Sequence, residues 1–435
     1  MEFLSSLFIF RSCVLCGRFD RVVVIESGGA TMMTTVDSVG EMMTNTHSEA
    51  ESCRTGNWQT AIDLQTLSKS LSWSSDDLAS RRYRRTSGQS GSLSERDKRI
   101  GCGQLCLMIL KFISTSCYVF CPPIPELITR KLAFHPPRRG FTYVIAVHDD
   151  NDINNHLEVD SAAKAIRFQF AQIKPKKLSA GNRIPLDDIV TTFVKTRRGS
   201  LITTILIKNH NEHPNPRTKD VQVVLFSQPN GSDLGCYLQP QGLNLRWLAN
   251  ELDVDVYAYD YSGFGTSTGH ASEKNIYYDI EAVYEHILTT RGRQIRIVLI
   301  GFSIGTAPSI AHAAQHPPNL CGVVLIAPFT SGWRLLFKRE PTAETCFVDR
   351  FLRHALQSSI TYERAPEIDV PVLICHGSLD ATIPISHGKI LHTRMKRAVR
   401  PLFLTGADHL SIFSNRNLVV FWRIRYFMSH EIDSL

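Results

Sequence analysis

The pentapeptide Gly301-Phe302-Ser303-Ile304-Gly305 sets a serine hydroxyl between two glycines, where the hydrophobic pattern changes period. Ile295 to Ile300 is a short β-branched and leucine-rich run, which predicts a buried strand. From Thr306 the residues are small and apolar, as in a helix packed on a sheet. Ser303 is therefore expected on a strand-to-helix turn. A tight turn strains the serine backbone and crowds both flanking positions, so Gly301 and Gly305 would relieve collisions with the strand and the helix. The pattern is that of a nucleophile elbow, G-x-S-x-G. The alternative is a serine that only caps the helix N-terminus, and chemical partners decide between the two.

A serine hydroxyl is a poor nucleophile until a base takes its proton and a third group holds that base in the right tautomer. Downstream, "PVLICHG" reads as a strand running into "SLDATIPISHG", which places Asp380 just past the strand's C-terminal end. The next strand, "PLFLTG", runs into "ADHLSIF" and places His409 likewise. Catalytic groups in open α/β sheets collect at the carboxyl ends of strands, and the order serine, acid, histidine is one that such sheets use. Asp408 neighbours His409, but adjacent loop side chains diverge, and solvation is expected for it. Asp349 and Asp369 lie on connecting segments. Among 16 histidines, His312, His316, His376 and His387 read as core or surface residues. An oxyanion hole would need two backbone N–H groups: that of Ile304, after the nucleophile, and one from "FSQPNGSDLG", Phe226 to Gly235.

These positions require a sheet. "DIVTTFVKT" and "GSLITTILIKN" read as an antiparallel hairpin, followed by strands at "DVQVVLFS", "VDVYAYDY", "IRIVLI", "CGVVLIAP", "PVLICHG" and "RPLFLTG". Helical stretches such as Glu273 to Leu288 separate them. The alternation predicts an α/β class fold, a mostly parallel sheet with helices on both faces and the antiparallel hairpin at its N-terminal edge.

The chain has 435 residues, room for one large domain and an extension. A net charge of +7 is modest for that length, and no nucleic-acid partner follows from it. The 11 cysteines have no regular spacing, which excludes a disulfide framework and points to reduced thiols. The start "MEFLSSLFIFR" lacks the basic region of a cleaved signal. Residues 1–101, rich in Ser, Thr, Gly and Arg, are expected to be a disordered extension. The apolar, proline-terminated segment 102–137 is expected to be a surface membrane anchor, too interrupted to span a bilayer. Residues 138–185 are left as a linker whose structure the pattern does not assign, and 186–435 are expected to form the α/β domain that carries the site.

The blocks "LDDIVTTFVKTRRG", "VVLFSQPNGSDLG", "YDYSGFGTSTGHASEKNIYYDI", "GFSIGTAPSIA", "PFTSGWRLLF", "VLICHGSLDATIPISHG" and "GADHLSIF" resemble, in register, the α/β-hydrolase domain-containing protein 17 family. The resemblance implies an α/β-hydrolase fold and a serine hydrolase that removes S-acyl chains from membrane proteins. Ser303, Asp380 and His409 would be nucleophile, acid and base, and no metal or cofactor would be needed. It also implies that Cys102, Cys106, Cys117 and Cys121 carry palmitate. That would hold the enzyme peripherally at the cytoplasmic face of plasma and endosomal membranes, where S-acylated proteins are its substrates. The family's His-Gly-Asn loop reads Gln228-Pro229-Asn230 here, which leaves Asn230 as the second oxyanion donor by position. A lipid esterase of the monoacylglycerol type and a scaffold of the same fold with impaired catalysis are the rival readings.

Overall fold

The eight strand-like runs meet in one sheet whose middle strands are buried on both faces. The computed structural model describes residues 133–148, 157–176, 185–209 except 187, 222–336 except 241 and 293, and 361–434, with some helical positions between 109 and 131. The extension 1–101 lies outside the described residues, as do Cys102, Cys106, Cys121 and Asp349. In chain order, a small sheet is formed by β1 (Tyr143–His148), β2 (Leu157–Val159) and β3 (Phe170–Pro175), with the short helix α1 (Ala162–Ala165) between β2 and β3. The large sheet comprises β4 (Ile189–Lys195), β5 (Leu201–Ile207), β6 (Gln222–Ser227), β7 (Asp255–Tyr259), β8 (Arg296–Phe302), β9 (Leu320–Ile326), β10 (Val372–Gly377) and β11 (Leu402–Leu404). Its helices are α2 (Leu245–Leu252), α3 (Glu273–Arg291), α4 (Thr306–Ala313), α5 (Gly332–Leu336), α6 (Thr361–Arg364), α7 (Ile385–Arg394) and α8 (Leu418–Tyr426).

The large sheet has the order β11-β10-β9-β8-β6-β7-β5-β4. Strands β6 to β11 pair in parallel, whereas β4 and β5 pair antiparallel with each other and β5 antiparallel with β7. This is the α/β-hydrolase fold, with the antiparallel hairpin at its N-terminal edge. Side-chain alternation divides the core. Val298, Ile300 and Phe302 of β8 face the cluster completed by Leu245 and Leu248 of α2 and Val420, Phe421 and Ile424 of α8. Ile297 and Leu299 face the opposite cluster with Ile276, Ile280 and Val283 of α3 and Ile310 of α4. Each such fully buried side chain contributes about 1.5–3 kcal/mol of transfer free energy, so both faces need their helices.

Two boundaries differ from the sequence reading. The described residues of 138–185 carry part of the fold: β1 pairs antiparallel with β2 and β3, and Tyr143, Ile145, Val147 and Ile173 are buried in the same cluster as Val224 and Phe226 of β6. The catalytic domain therefore begins well before residue 186. Each of these strands is short, and Tyr143 pairs with Pro175 across a long intervening segment, so no local period announces them. The end of the segment 102–137 also joins the fold, since Phe134 is buried against the face that carries α3. Earlier in that segment, Ile109, Leu110 and Ile113 are exposed, and Cys117 is an exposed free thiol. Among the described residues no helix is long and apolar enough to cross a membrane, and no cluster of three His, Cys, Asp or Glu could hold a metal ion.

Candidate active site

Ser303 directly follows the end of β8 and opens a single 3-10 turn, Ser303–Gly305, that leads into α4. Its φ of 54° lies in the left-handed region, which costs a side-chain-bearing residue about 1–3 kcal/mol unless the surroundings enforce it. They do so by proximity. A Cβ on Gly301 would lie 2.5 Å from the Gly305 carbonyl oxygen and 2.7 Å from Ser309 Oγ. A Cβ on Gly305 would lie 2.6 Å from the Ser227 carbonyl carbon at the end of β6, with the Ser227 oxygen closer still. Only glycine at both positions lets the elbow sit so tightly on strand β6. The α4 N-cap is Gly305 and makes no side-chain bond, so Ser303 Oγ does not cap the helix.

That hydroxyl has another partner. Ser303 Oγ lies 3.0 Å from His409 Nε2, and His409 Nδ1 lies 2.7 Å from Asp380 Oδ2. A carboxylate only accepts, so Nδ1 carries the ring proton, Nε2 accepts, and the serine O–H donates to it. Asp380 divides its oxygens: Oδ1 accepts from the N–H groups of Thr382 (2.9 Å) and Ile383 (2.7 Å), which leaves Oδ2 for the histidine. Burial pushes the Asp380 carboxyl up, but hydrogen bonding with His376 and His409 and from Ile383 N–H outweighs it and holds the group well below the usual carboxylate range. It stays ionised and fixes the imidazole. The Phe302 ring packs 5.5 Å from the His409 ring, centroid to centroid.

The weighed alternatives lie elsewhere. Asp408 is exposed and accepts from the N–H groups of Leu410 (3.0 Å) and Ser411 (2.7 Å), which shapes the loop that presents His409. Asp369 pairs with His316 at the surface, 2.8 Å apart. His312 is buried under Tyr284, and burial lowers its pKa to about 4. His387 Nδ1 lies 2.9 Å from Thr330 Oγ1.

Three features escaped the sequence reading. His376, fully buried, donates from Nε2 to the Ile383 carbonyl at 2.8 Å and stands 3.5 Å from Asp380 Oδ2, beneath the acid loop. Gln228, which stands where the resemblance would place a histidine, is buried, and its Nε2 donates to Asp260 Oδ1 at 2.8 Å. The Gln228 carbonyl accepts from Tyr261 O–H at 2.6 Å. The backbone of the altered loop is thus held from both ends of one residue. Asp260 follows β7 in "YDYSGFG"; its place at a strand's carboxyl end was the available signal. Among the expected oxyanion residues, Ile304 is the middle residue of the 3-10 turn that Ser303 opens. Asn230 lies in the turn after β6, its side chain bonded to residues 133 and 135.

Comparison with known proteins decides the family. Alpha/beta hydrolase domain-containing protein 17B of Homo sapiens is 31% identical over 327 residues, which cover 75% of this chain and 99% of that protein. The chain belongs to the alpha/beta hydrolase domain-containing protein 17 family. The 17B protein of Xenopus tropicalis matches to the same extent, 31% over 327 residues. The family member aho-3 of Caenorhabditis elegans is 30% identical over 328 residues, 75% of this chain and 85% of that protein. Residues 245–360 match the family described as Serine aminopeptidase, S33, in the Hydrolase_4 group. Among solved structures, an esterase of Pyrococcus furiosus overlays with a TM-score of 0.42 at 16% identity, covering 57% of this chain and 96% of that one. With Ser303, His409 and Asp380 hydrogen-bonded in sequence, this family member is a serine hydrolase.

Proposed function

We propose that the enzyme hydrolyses long-chain acyl thioesters, removing S-palmitoyl groups from membrane-associated proteins. The continuous hydrogen-bonded chain from Ser303 Oγ through His409 to Asp380 carries the hydrolytic part of this reading. Ser303 Oγ attacks the thioester carbonyl as its proton passes to His409 Nε2. The C–S bond then breaks, and His409 returns the proton to the departing cysteine thiolate. Water next attacks the acyl-serine with His409 as base, releasing the fatty acid and restoring the serine. Asp380 stabilises the imidazolium throughout, and the N–H groups of Ile304 and Asn230 are the expected donors to the oxyanion. These residues supply every step, and the reading calls for no cofactor or metal.

The acyl preference is supported by the resemblance and by two apolar side chains beside the triad. Leu379, next to Asp380, is 65% exposed, and Leu410, next to His409, is 60% exposed. Large apolar groups flanking a polar site suit a fatty chain or its membrane. Attachment by acylated Cys102, Cys106, Cys117 and Cys121 would place the enzyme peripherally on the cytoplasmic face of plasma and endosomal membranes. One acyl chain gives only reversible binding, so two or more are needed.

The test combines labelling with turnover. A fluorophosphonate probe should label the enzyme but neither Ser303→Ala nor His409→Ala, and both should lose about a millionfold in turnover, because triad members act as a unit. An S-palmitoylated peptide should be turned over faster than a monoacylglycerol. Faster turnover of the acylglycerol would favour the lipid esterase, and failure of the wild type to label would favour a scaffold. Replacing the four cysteines by serine should release the enzyme from membranes and spare its activity on a soluble ester.

A further inference from the structure

Beyond the triad, a polar network, buried at Thr142, Tyr143, Asp233 and Asp260 and half-buried at Asn230, ties residues 133–143 to the loop 228–235 that follows β6. The first tie is the Asn230 amide: its Oδ1 accepts from His135 N–H at 3.0 Å, and its Nδ2 donates to the Ala133 carbonyl at 2.8 Å. The second is Thr142, whose Oγ1 donates to Asp233 Oδ2 at 2.5 Å. Gly235 packs onto the same residue so closely that a Cβ there would come within 2.7 Å of Thr142 Oγ1. The third is Tyr143, whose hydroxyl donates to Asp260 Oδ2, while Asp260 Oδ1 accepts from Gln228 Nε2 at 2.8 Å and Leu234 N–H at 3.0 Å. Thr142, Tyr143, Gln228, Asp233 and Asp260 are all buried. On the loop's other side stands the elbow, with Gly305 against Ser227 and Gln228.

We propose that residues 133–143 form a strap that positions the oxyanion loop, with Thr142, Tyr143 and the Asn230 side chain as positioning residues. The proposal rests on the hydrolase reading above. An oxyanion hole works because its donors are aimed before charge develops, at no reorganisation cost during reaction. A surface loop has no such rigidity of its own. Here Asn230 binds its amide to a segment 95 residues away in sequence, on both a donor and an acceptor of that segment. The backbone N–H of the same residue is the one expected to face the oxyanion. Four residues later, Leu234 N–H and the Gln228 amide share one carboxylate oxygen, which closes the loop upon itself. The strap lies upstream of the core hairpin, so the catalytic geometry depends on sequence next to the proposed anchor.

The test uses the full-length enzyme and the variants Asn230→Ala and Thr142→Val. Each preparation is titrated with a fluorophosphonate, and the single-turnover acylation rate with a p-nitrophenyl ester is expressed per titrated site. Losing one oxyanion donor outright costs about a hundredfold to a thousandfold, so a loosened donor should cost about tenfold to a hundredfold. The expected result is that fall in acylation rate, with KM within about threefold. A merely structural tie would lower the titrated fraction or the melting temperature and leave the rate per site unchanged. Rates per site within twofold of wild type in both variants would overturn the proposal. Ser303→Ala is run alongside: if it too acylates, the hydrolase reading fails and the strap falls with it.

Discussion

Gly305 is the position where one added methyl group should separate chemistry from folding most sharply. Its φ of −63° suits any residue, so backbone strain plays no part and space alone is at stake. A Cβ there would stand 2.6 Å from the Ser227 carbonyl carbon and 2.9 Å from the Gln228 oxygen. Restoring the first contact to an ordinary 3.4 Å takes 0.8 Å of movement, and the Ser227 oxygen lies nearer still. The end of β6 cannot yield alone. Ser227 Oγ is hydrogen-bonded to Tyr259 O–H at 2.9 Å, and Gln228 O accepts from Tyr261. The elbow and the loop after β6 must therefore part by about 1 Å. Misplacement of that size costs about a hundredfold in rate, or ~2.7 kcal/mol of transition-state stabilisation. Overpacking should destabilise the fold by about 1–3 kcal/mol, which leaves a folded protein to assay. The measurement is stopped-flow acylation by a p-nitrophenyl ester, per fluorophosphonate-titrated site, for Gly305→Ala. Gly332→Ala serves as control, since a Cβ there meets nothing within 4 Å. Acylation by Gly305→Ala within threefold of wild type would refute the claim that elbow and loop are held in register by this contact.

The remaining predictions concern charge, tautomer and the altered loop. Asp279, fully buried at Ser262, has its pKa raised to about 7 by burial, so the folded state binds a proton that the unfolded chain has lost. Its contribution is complete below about pH 4 and is lost as pH rises through 7, on the order of 4 kcal/mol. Denaturant titrations of Asp279→Asn should therefore gain on wild type across that window, and a constant difference between the two would contradict the linkage. Asp380→Asn should keep the fold and cost about ten-thousandfold in kcat, through the wrong imidazole tautomer; kcat within a hundredfold of wild type would remove Asp380 from the triad. The double change Gln228→His with Pro229→Gly should raise acyl-enzyme formation by well under a hundredfold, since the Gln228 amide already bonds Asp260. A larger gain would mean that the oxyanion hole is broken in the present sequence.

The apolar runs by themselves determined the sheet. Val223 to Phe226, Ile297 to Ile300 and Val323 to Ile326 are buried on both faces, and such runs have few stable places except central parallel strands. The triad was legible for a related reason. Ser303 and His409 are 106 residues apart, but each follows a parallel strand, and parallel strands deliver their ends to one edge of the sheet. The elbow was legible in its pattern as well, but only part of its crowding is local: Gly301 is crowded by Gly305 and Ser309, whereas Gly305 is crowded by Ser227 and Gln228 at the end of β6. Tertiary structure alone decided the rest. That β1 and β3 join the domain, that Thr142 meets Asp233 across 91 residues and Tyr143 meets Asp260 across 117, follows no period and no strand-end rule. Gln228 looked like a damaged motif because its sequence neighbours say nothing of Asp260, the carboxylate that binds its amide. His376 reads in sequence as a core or surface histidine and is buried in the core, but the carbonyl it holds, Ile383 O, comes near only once the acid loop has folded back over it. Side-chain partners across the chain are set by how the layers stack, and that stacking is a property of the whole fold, written in no single stretch of residues.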